Sequence, residues 1–216
     1  MPSKAWRYSH NAMLQSCFVK VLPSVLTPFV RSDAVGAILA ETFLHPDREL
    51  TLAEIARRTS LAPAVVHKEV SRLVTAGVLA DRRDGNNRLI RVSTDHPLYV
   101  PMAEIIAATY GPVPVLRELL SAIPTLDGAF LYGSWAARRV GQPGSPPGDV
   151  DVMVLGELSV DDLIEVQTSA RDRLGLPVNL HRTTLAAWAN RKGDPFLAQV
   201  ASEPVVVLAD WTVAHA

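Results

Sequence analysis

Residues Gly141-Gln142-Pro143-Gly144-Ser145-Pro146-Pro147-Gly148 place six glycines and prolines in eight consecutive positions. Neither a helix nor an inner strand tolerates that density, because proline lacks an N–H and fixes φ while glycine gives up the most backbone entropy on ordering. The stretch is a loop, and it sets what flanks it. Behind it, Asp149-Val150-Asp151-Val152-Met153-Val154-Leu155 alternates as a strand does, with Asp149 and Asp151 on one face and Val150, Val152 and Val154 on the other. Ahead of it, the apolar run Leu126–Tyr132 ends in Gly133-Ser134, and Trp135-Ala136-Ala137-Arg138-Arg139 suits a helix. Strand, helix, loop and strand predict an α/β second half.

The chain has 216 residues, enough for one domain or two. With 48% hydrophobic and 20% charged residues it can bury a full core, which excludes wholesale disorder. Net charge is −1, but it is unevenly spread. Residues 51–92 carry eight basic side chains against four acidic, whereas residues 125–216 carry seven against eleven. That segregation predicts two domains with different partners. The single cysteine, Cys17, forms no internal disulfide and belongs to no zinc cluster. Val21–Val30 and Ile105–Leu116, the longest uncharged apolar stretches, are shorter than the ~20 residues of a spanning helix, and prolines interrupt both. Lys4, Arg7 and Ala12–Val19 mimic a signal peptide faintly, but Lys20 follows at once with no clear small-residue cleavage site. The expected location is cytoplasmic, with no membrane partner.

Helices and a hairpin are expected in the first half. Val35, Ile38, Leu39, Thr42 and Phe43 share a helical face behind Asp33 as cap. Thr51-Leu52-Ala53-Glu54 has the form of a capping box, opening a short helix that ends near Arg58-Thr59-Ser60. Pro63 begins a third helix running to Gly77, and Asp84-Gly85-Asn86-Asn87 joins strands Val78–Arg82 and Arg88–Ser93. On the third helix Val66, Val70, Leu73 and Val74 pack inward, leaving His67, Lys68, Ser71 and Arg72 outward as donors to bases and phosphates. The segment 51–79, within residues 33–95, resembles the winged helix-turn-helix of ArsR-like bacterial transcriptional regulators. The resemblance implies double-stranded DNA as partner, the third helix in the major groove, and Arg82, Arg83 and Arg88 on the wing against the backbone. Solvated charge on a protein-interaction module is the competing reading.

In the second half the adjacent carboxylates Asp149 and Asp151 suit Mg²⁺, which prefers oxygen ligands and accepts some of them from substrate phosphates. Gly133-Ser134 at a helix start offers N–H groups and a hydroxyl to a phosphate. Gly-Ser, helix, loop and Asp-x-Asp, with fourteen residues between Ser134 and Asp149, resemble the nucleotidyltransferase superfamily that includes DNA polymerase beta and kanamycin nucleotidyltransferase. The resemblance covers residues 125–210. It implies that Gly133 and Ser134 touch a nucleoside triphosphate, and that Asp149 and Asp151 hold Mg²⁺ and serve catalysis if the site is active. One departure stands out. Active members carry a third carboxylate on a later strand, here Leu176–His181, and this chain has Asn179 there. His181, two residues on, is a substitute base or a structural side chain. Arg138 and Arg139 face either the triphosphate or solvent, and Trp188 and Phe196 are expected in the core or a lid, with base-stacking platforms as the competing reading.

The expected organisation is an N-terminal extension (1–32), a winged helix (33–95), a helical linker (96–124) broken at Tyr110-Gly111-Pro112, and a nucleotidyltransferase-like domain (125–216). Leu14, Phe18, Val21, Leu22, Val25 and Leu26 form a helical apolar series, interrupted by Pro23, for packing on a second copy or on its own chain. The leading expectation is a homodimeric DNA-binding regulator with a nucleotide- or ligand-binding second domain, whose catalysis is degenerate. The alternative is an active Mg²⁺-dependent nucleotidyltransferase that modifies a small molecule, protein or RNA.

Overall fold

A computed structural model describes residues 30–210. Cys17 and the apolar series from Leu14 to Leu26 lie outside the described residues. The architecture is mixed α/β with two sheets. Among the described residues no helix is long and apolar enough to cross a membrane.

The first sheet belongs to a helical unit. Helix α1 (Asp33–Phe43) is capped by Ser32, not Asp33: the Ser32 side chain accepts from the Val35 N–H at 3.4 Å, and Asp33 sits in the first turn. The expected face is buried, with Ile38 fully enclosed beside Leu39 and Phe43. A two-residue strand, β1 (Leu50–Thr51), leads into α2 (Leu52–Thr59). The capping box there closes in both directions: Glu54 N–H donates to Thr51 Oγ1 at 3.2 Å, and Thr51 N–H donates to Glu54 Oε2 at 2.8 Å. Helix α3 (Pro63–Thr75) starts on its proline without a side-chain cap. Strands β2 (Leu79–Asp84) and β3 (Asn87–Val92) are longer toward the turn than expected, because Asp84 pairs with Asn87. Only Gly85-Asn86 then remains in the turn, and Gly85 (φ 56) fills the position that a type II′ turn reserves for glycine. Leu50 opposite Ile90 adds β1 as a third strand, in the order β1-β3-β2.

Two helices follow, separated at Gly111: α4 (Tyr99–Tyr110) and α5 (Pro112–Leu120). They join different cores. Ile106 of α4 packs with Ile38, Phe43 and Val70, whereas Val115, Leu116 and Leu120 of α5 pack with the second sheet. Gly36 of α1 admits α4 closely, since a Cβ at that position would meet the Tyr110 hydroxyl at 2.0 Å.

The second sheet comprises β4 (Leu126–Tyr132), β5 (Val150–Gly156), β6 (Val178–Thr183) and β7 (Val206–Ala209), in the order β6-β5-β4-β7. Helix α6 (Gly133–Arg139) and the glycine-proline loop join β4 to antiparallel β5. The long α7 (Val160–Leu174) crosses from β5 to parallel β6. Val150, Val152 and Val154 face α5 and α7 as the alternation requires. The opposite face is not open, however. Met153 and Leu155 are buried there with Phe130 beneath α8 (Leu185–Ala189) and α9 (Pro195–Ser202), through Trp188, Leu197 and Val200. Only the Asp151 end of β5 is left accessible.

The end of α7 is tied back to the first unit. Gly175 (φ 63) stops the helix, His45 Nε2 donates to Leu174 O at 3.0 Å, and Arg48 Nη2 donates to Gly175 O at 3.2 Å. These side chains satisfy carbonyls that a helix terminus leaves orphaned. Burial, and then the neighbouring charges of Arg48 and Arg58, pull the His45 imidazole down from 6.5 to about 4. The unfolded chain thus takes up a proton below about pH 6.5 that the folded chain refuses until about pH 4. Stability therefore falls through that window as pH drops, by about 3 kcal/mol. Denaturant titrations at about pH 7 and about pH 4.5 check this: the loss should shrink in His45→Gln, which keeps a neutral donor but cannot charge.

Candidate functional site

Three strands bring their polar residues into one row. Tyr132 lies opposite Asp151 across β4 and β5, and Asp151 lies beside Asn179 across β5 and β6. Asp149 directly precedes β5, whose Val150 N–H is fixed to Pro177 O at 2.9 Å. The Asn179 Nδ2 group donates to both carboxylates, to Asp149 Oδ2 at 3.2 Å and to Asp151 Oδ1 at 3.0 Å. Ionised carboxylates only accept, so the amide must present its NH2 end to them. An uncharged donor thus stands where two negative groups converge.

Gly133 closes the other side. Its φ of 69 lies in the left-handed region, and a Cβ there would come within 2.9 Å of Asp151 Oδ2. Glycine is therefore required both by backbone conformation and by the approach of the carboxylate. Ser134 follows it in the first turn of α6, half-buried. The Tyr132 phenol is held protonated, its pKa raised first by burial and then by Asp151 and Asp149.

Among the described residues no group of three or more His, Cys, Asp and Glu side chains is placed to hold a metal ion. Two convergent carboxylates and an amide nonetheless fit magnesium in company with a phosphate-bearing ligand, since Mg²⁺ is commonly held by one or two carboxylates plus substrate phosphates. They do not make an all-protein cage. Asn179 would have to turn its carbonyl inward to ligate.

His181 lies one row further along, on the strand face of Asn179 and opposite Met153. It is exposed, and its ring neighbours are Tyr132 (centroids 6.0 Å apart) and Phe196 (5.4 Å). Tyr132 and Phe196 meet edge to face at 6.2 Å, closing a triangle. Trp188 is core, as expected, whereas Phe196 is 44% exposed and is not. The sequence could have placed Tyr132 in the site, because it immediately precedes Gly133. For Phe196, which the sequence also singles out, no local pattern decides between core, lid and stacking platform. Arg138 does not face the site as a free cation: Nη1 donates to Gln142 O at 2.6 Å and Pro143 O at 2.7 Å, bracing the loop. Arg139 is exposed at the end of α6.

On the first unit, α3 presents His67, Lys68 and Arg72 to solvent and Ser71 at its margin, while Val66, Val70 and Leu73 are buried. Glu69 turns inward and holds Arg72, Oε2 to Nη2, at 3.1 Å. Arg88 ties the wing to the helix, donating from Nε to Asp81 Oδ2 at 2.6 Å and from Nη1 to Ser71 Oγ at 3.3 Å. Arg82 is bound through two nitrogens to Glu49. Lys68 and Arg83 carry no ion pair among the described residues. Basic groups thus line α3 and the β2–β3 hairpin, exposed except for half-buried Arg88, and Arg72, Arg82 and Arg88 among them are already partnered by carboxylates.

No protein-family model and no curated protein matches the chain. Solved structures show partial likeness. A cysteine-to-serine mutant of ZitR from Lactococcus lactis is 22% identical over 43% of this chain and 62% of its own, with a TM-score of 0.34. Wild-type ZitR in complex with DNA is 20% identical over 53% of this chain and 71% of its own, with a TM-score of 0.33. A toxin-antitoxin structure with AMP-PNP is 23% identical over 46% of this chain and 73% of its own, with a TM-score of 0.32. The chain thus spans less than two thirds of the first ZitR structure, and likeness of this degree is weak.

Proposed function

We propose that the chain is a DNA-binding transcriptional regulator whose second half binds a magnesium–nucleoside triphosphate and turns it over slowly or not at all. The observation that carries this reading is the Asn179 amide between Asp149 and Asp151. Asp149 and Asp151 are the magnesium ligands, and Gly133 and Ser134 receive phosphate through backbone N–H groups and the Ser134 hydroxyl. Bound magnesium would neutralise phosphate charge and orient the triphosphate. Asn179 keeps the two carboxylates aligned, but at neutral pH it adds no charge and accepts no proton. A general base is worth ~10²–10⁴-fold in rate, so binding survives where transfer does not.

In this reading the winged-helix domain and the nucleotidyltransferase-like domain meet within the helical linker 96–124, and the passage of the chain from one core to the other at Gly111 supports it. A homodimer completes the reading, because a two-fold operator doubles the contacts of a single winged helix. The active-enzyme alternative draws support from exposed His181 beside the carboxylate row.

DNA binding is tested by selection from random duplexes, followed by titration at several salt concentrations. Arg72→Ala should cost ~1–3 kcal/mol and relax preference at one base position. Lys68→Ala and Arg83→Ala should weaken all sequences alike and lower the salt slope by about 1 each. Arg82 and Arg88 are already partnered by Glu49 and Asp81, so their removal should lower it less. No enriched sequence, together with unchanged affinity in the Lys68 and Arg83 variants, would exclude the regulator.

A further inference from the structure

We propose, resting on the nucleotide reading above, that His181 and Phe196 form the seat of the nucleobase, with Tyr132 as its floor. Phe196 is a large apolar ring left 44% exposed, although its neighbours on α9, Leu197 and Val200, are buried. Its placement is built rather than frayed: Asp194 caps α9 by accepting from the N–H groups of Phe196 at 2.9 Å and Leu197 at 3.1 Å. The ring is set against His181 at 5.4 Å and Tyr132 at 6.2 Å. Tyr132 is only 6% exposed, so it supports the other two without offering a face of its own.

The triangle adjoins the carboxylates. Tyr132 is the cross-strand partner of Asp151, and His181 follows Asn179 by two residues, about 6.6 Å along a strand. A ribose bridges a comparable span between phosphate and base. The exposed ring of Phe196 supplies an apolar face for stacking, and the ring nitrogens of exposed His181 supply polarity at the edge. Stacking of this kind accepts any base, since every base has a π-face. The seat therefore takes nucleoside triphosphates broadly, while the phosphates are recognised separately, at Gly133, Ser134 and the carboxylates.

The test compares Mg·ATP with Mg·tripolyphosphate, which has the phosphates and no base, by calorimetry on the full chain. Wild-type protein should bind ATP more tightly. Phe196→Ala should weaken ATP by about 5- to 150-fold while leaving tripolyphosphate unchanged, and Phe196→Trp should restore ATP affinity. A thermal melt confirms that the alanine variant is folded. Equal wild-type affinity for the two ligands, or equal weakening of both by Phe196→Ala, overturns the base seat while leaving the phosphate site intact. Failure of wild-type protein to bind either ligand overturns both readings.

Discussion

Asn179→Asp is expected to raise pyrophosphate release by about 10²–10⁴-fold over the wild-type chain, the range that a general base supplies. The substitution replaces the NH2 group that now bridges Asp149 Oδ2 and Asp151 Oδ1 with a third carboxylate at the same point. Without a cation, three such groups repel. The apo variant should therefore melt below wild type, and magnesium alone should recover the difference. Wild type, whose carboxylates already have a donor between them, should respond little to magnesium without nucleotide. A variant that melts normally and gains no rate would show that position 179 is not the missing element.

Asp149→Ala should weaken magnesium-dependent nucleotide binding by more than about 100-fold, since even loss of a group that merely supports a metal ligand costs about 10–100-fold. The fold should survive. Asp149 lies outside the strand ladder, and Asn179 retains its bond to Asp151 at 3.0 Å. Titration with Mg·ATP, with a melt to show the variant folded, checks the expectation. Undiminished binding would move the metal away from this pair.

What the sequence makes legible is what lies close along the chain. The Thr51–Glu54 capping box, the turn at Gly85-Asn86 and the strand behind the glycine-proline loop each depend on neighbours within a few residues, so pattern alone suffices. Asn179 is singled out in the sequence only through the resemblance, which expects a third carboxylate on that strand. Its role as donor to both aspartates does not follow, because this depends on the β5–β6 register. Strand β1 escapes a pattern reading because two residues, Leu50 and Thr51, carry no periodicity and exist as a strand only by pairing with Ile90 and Leu89. The second buried face of β5 escapes it because its cover, Trp188 and Leu197, comes from short helices more than thirty positions on. The seal at the end of α7 joins His45 to Leu174 across 129 positions. No local signal predicts such a contact.

One titration bears most directly on a nucleotide site that binds without turning over: Mg·ATP added to the wild-type chain, with heat and pyrophosphate followed together. Saturable binding that requires magnesium is expected, while pyrophosphate accumulates no faster than in buffer. Rapid pyrophosphate release, or no binding with and without magnesium, would contradict it.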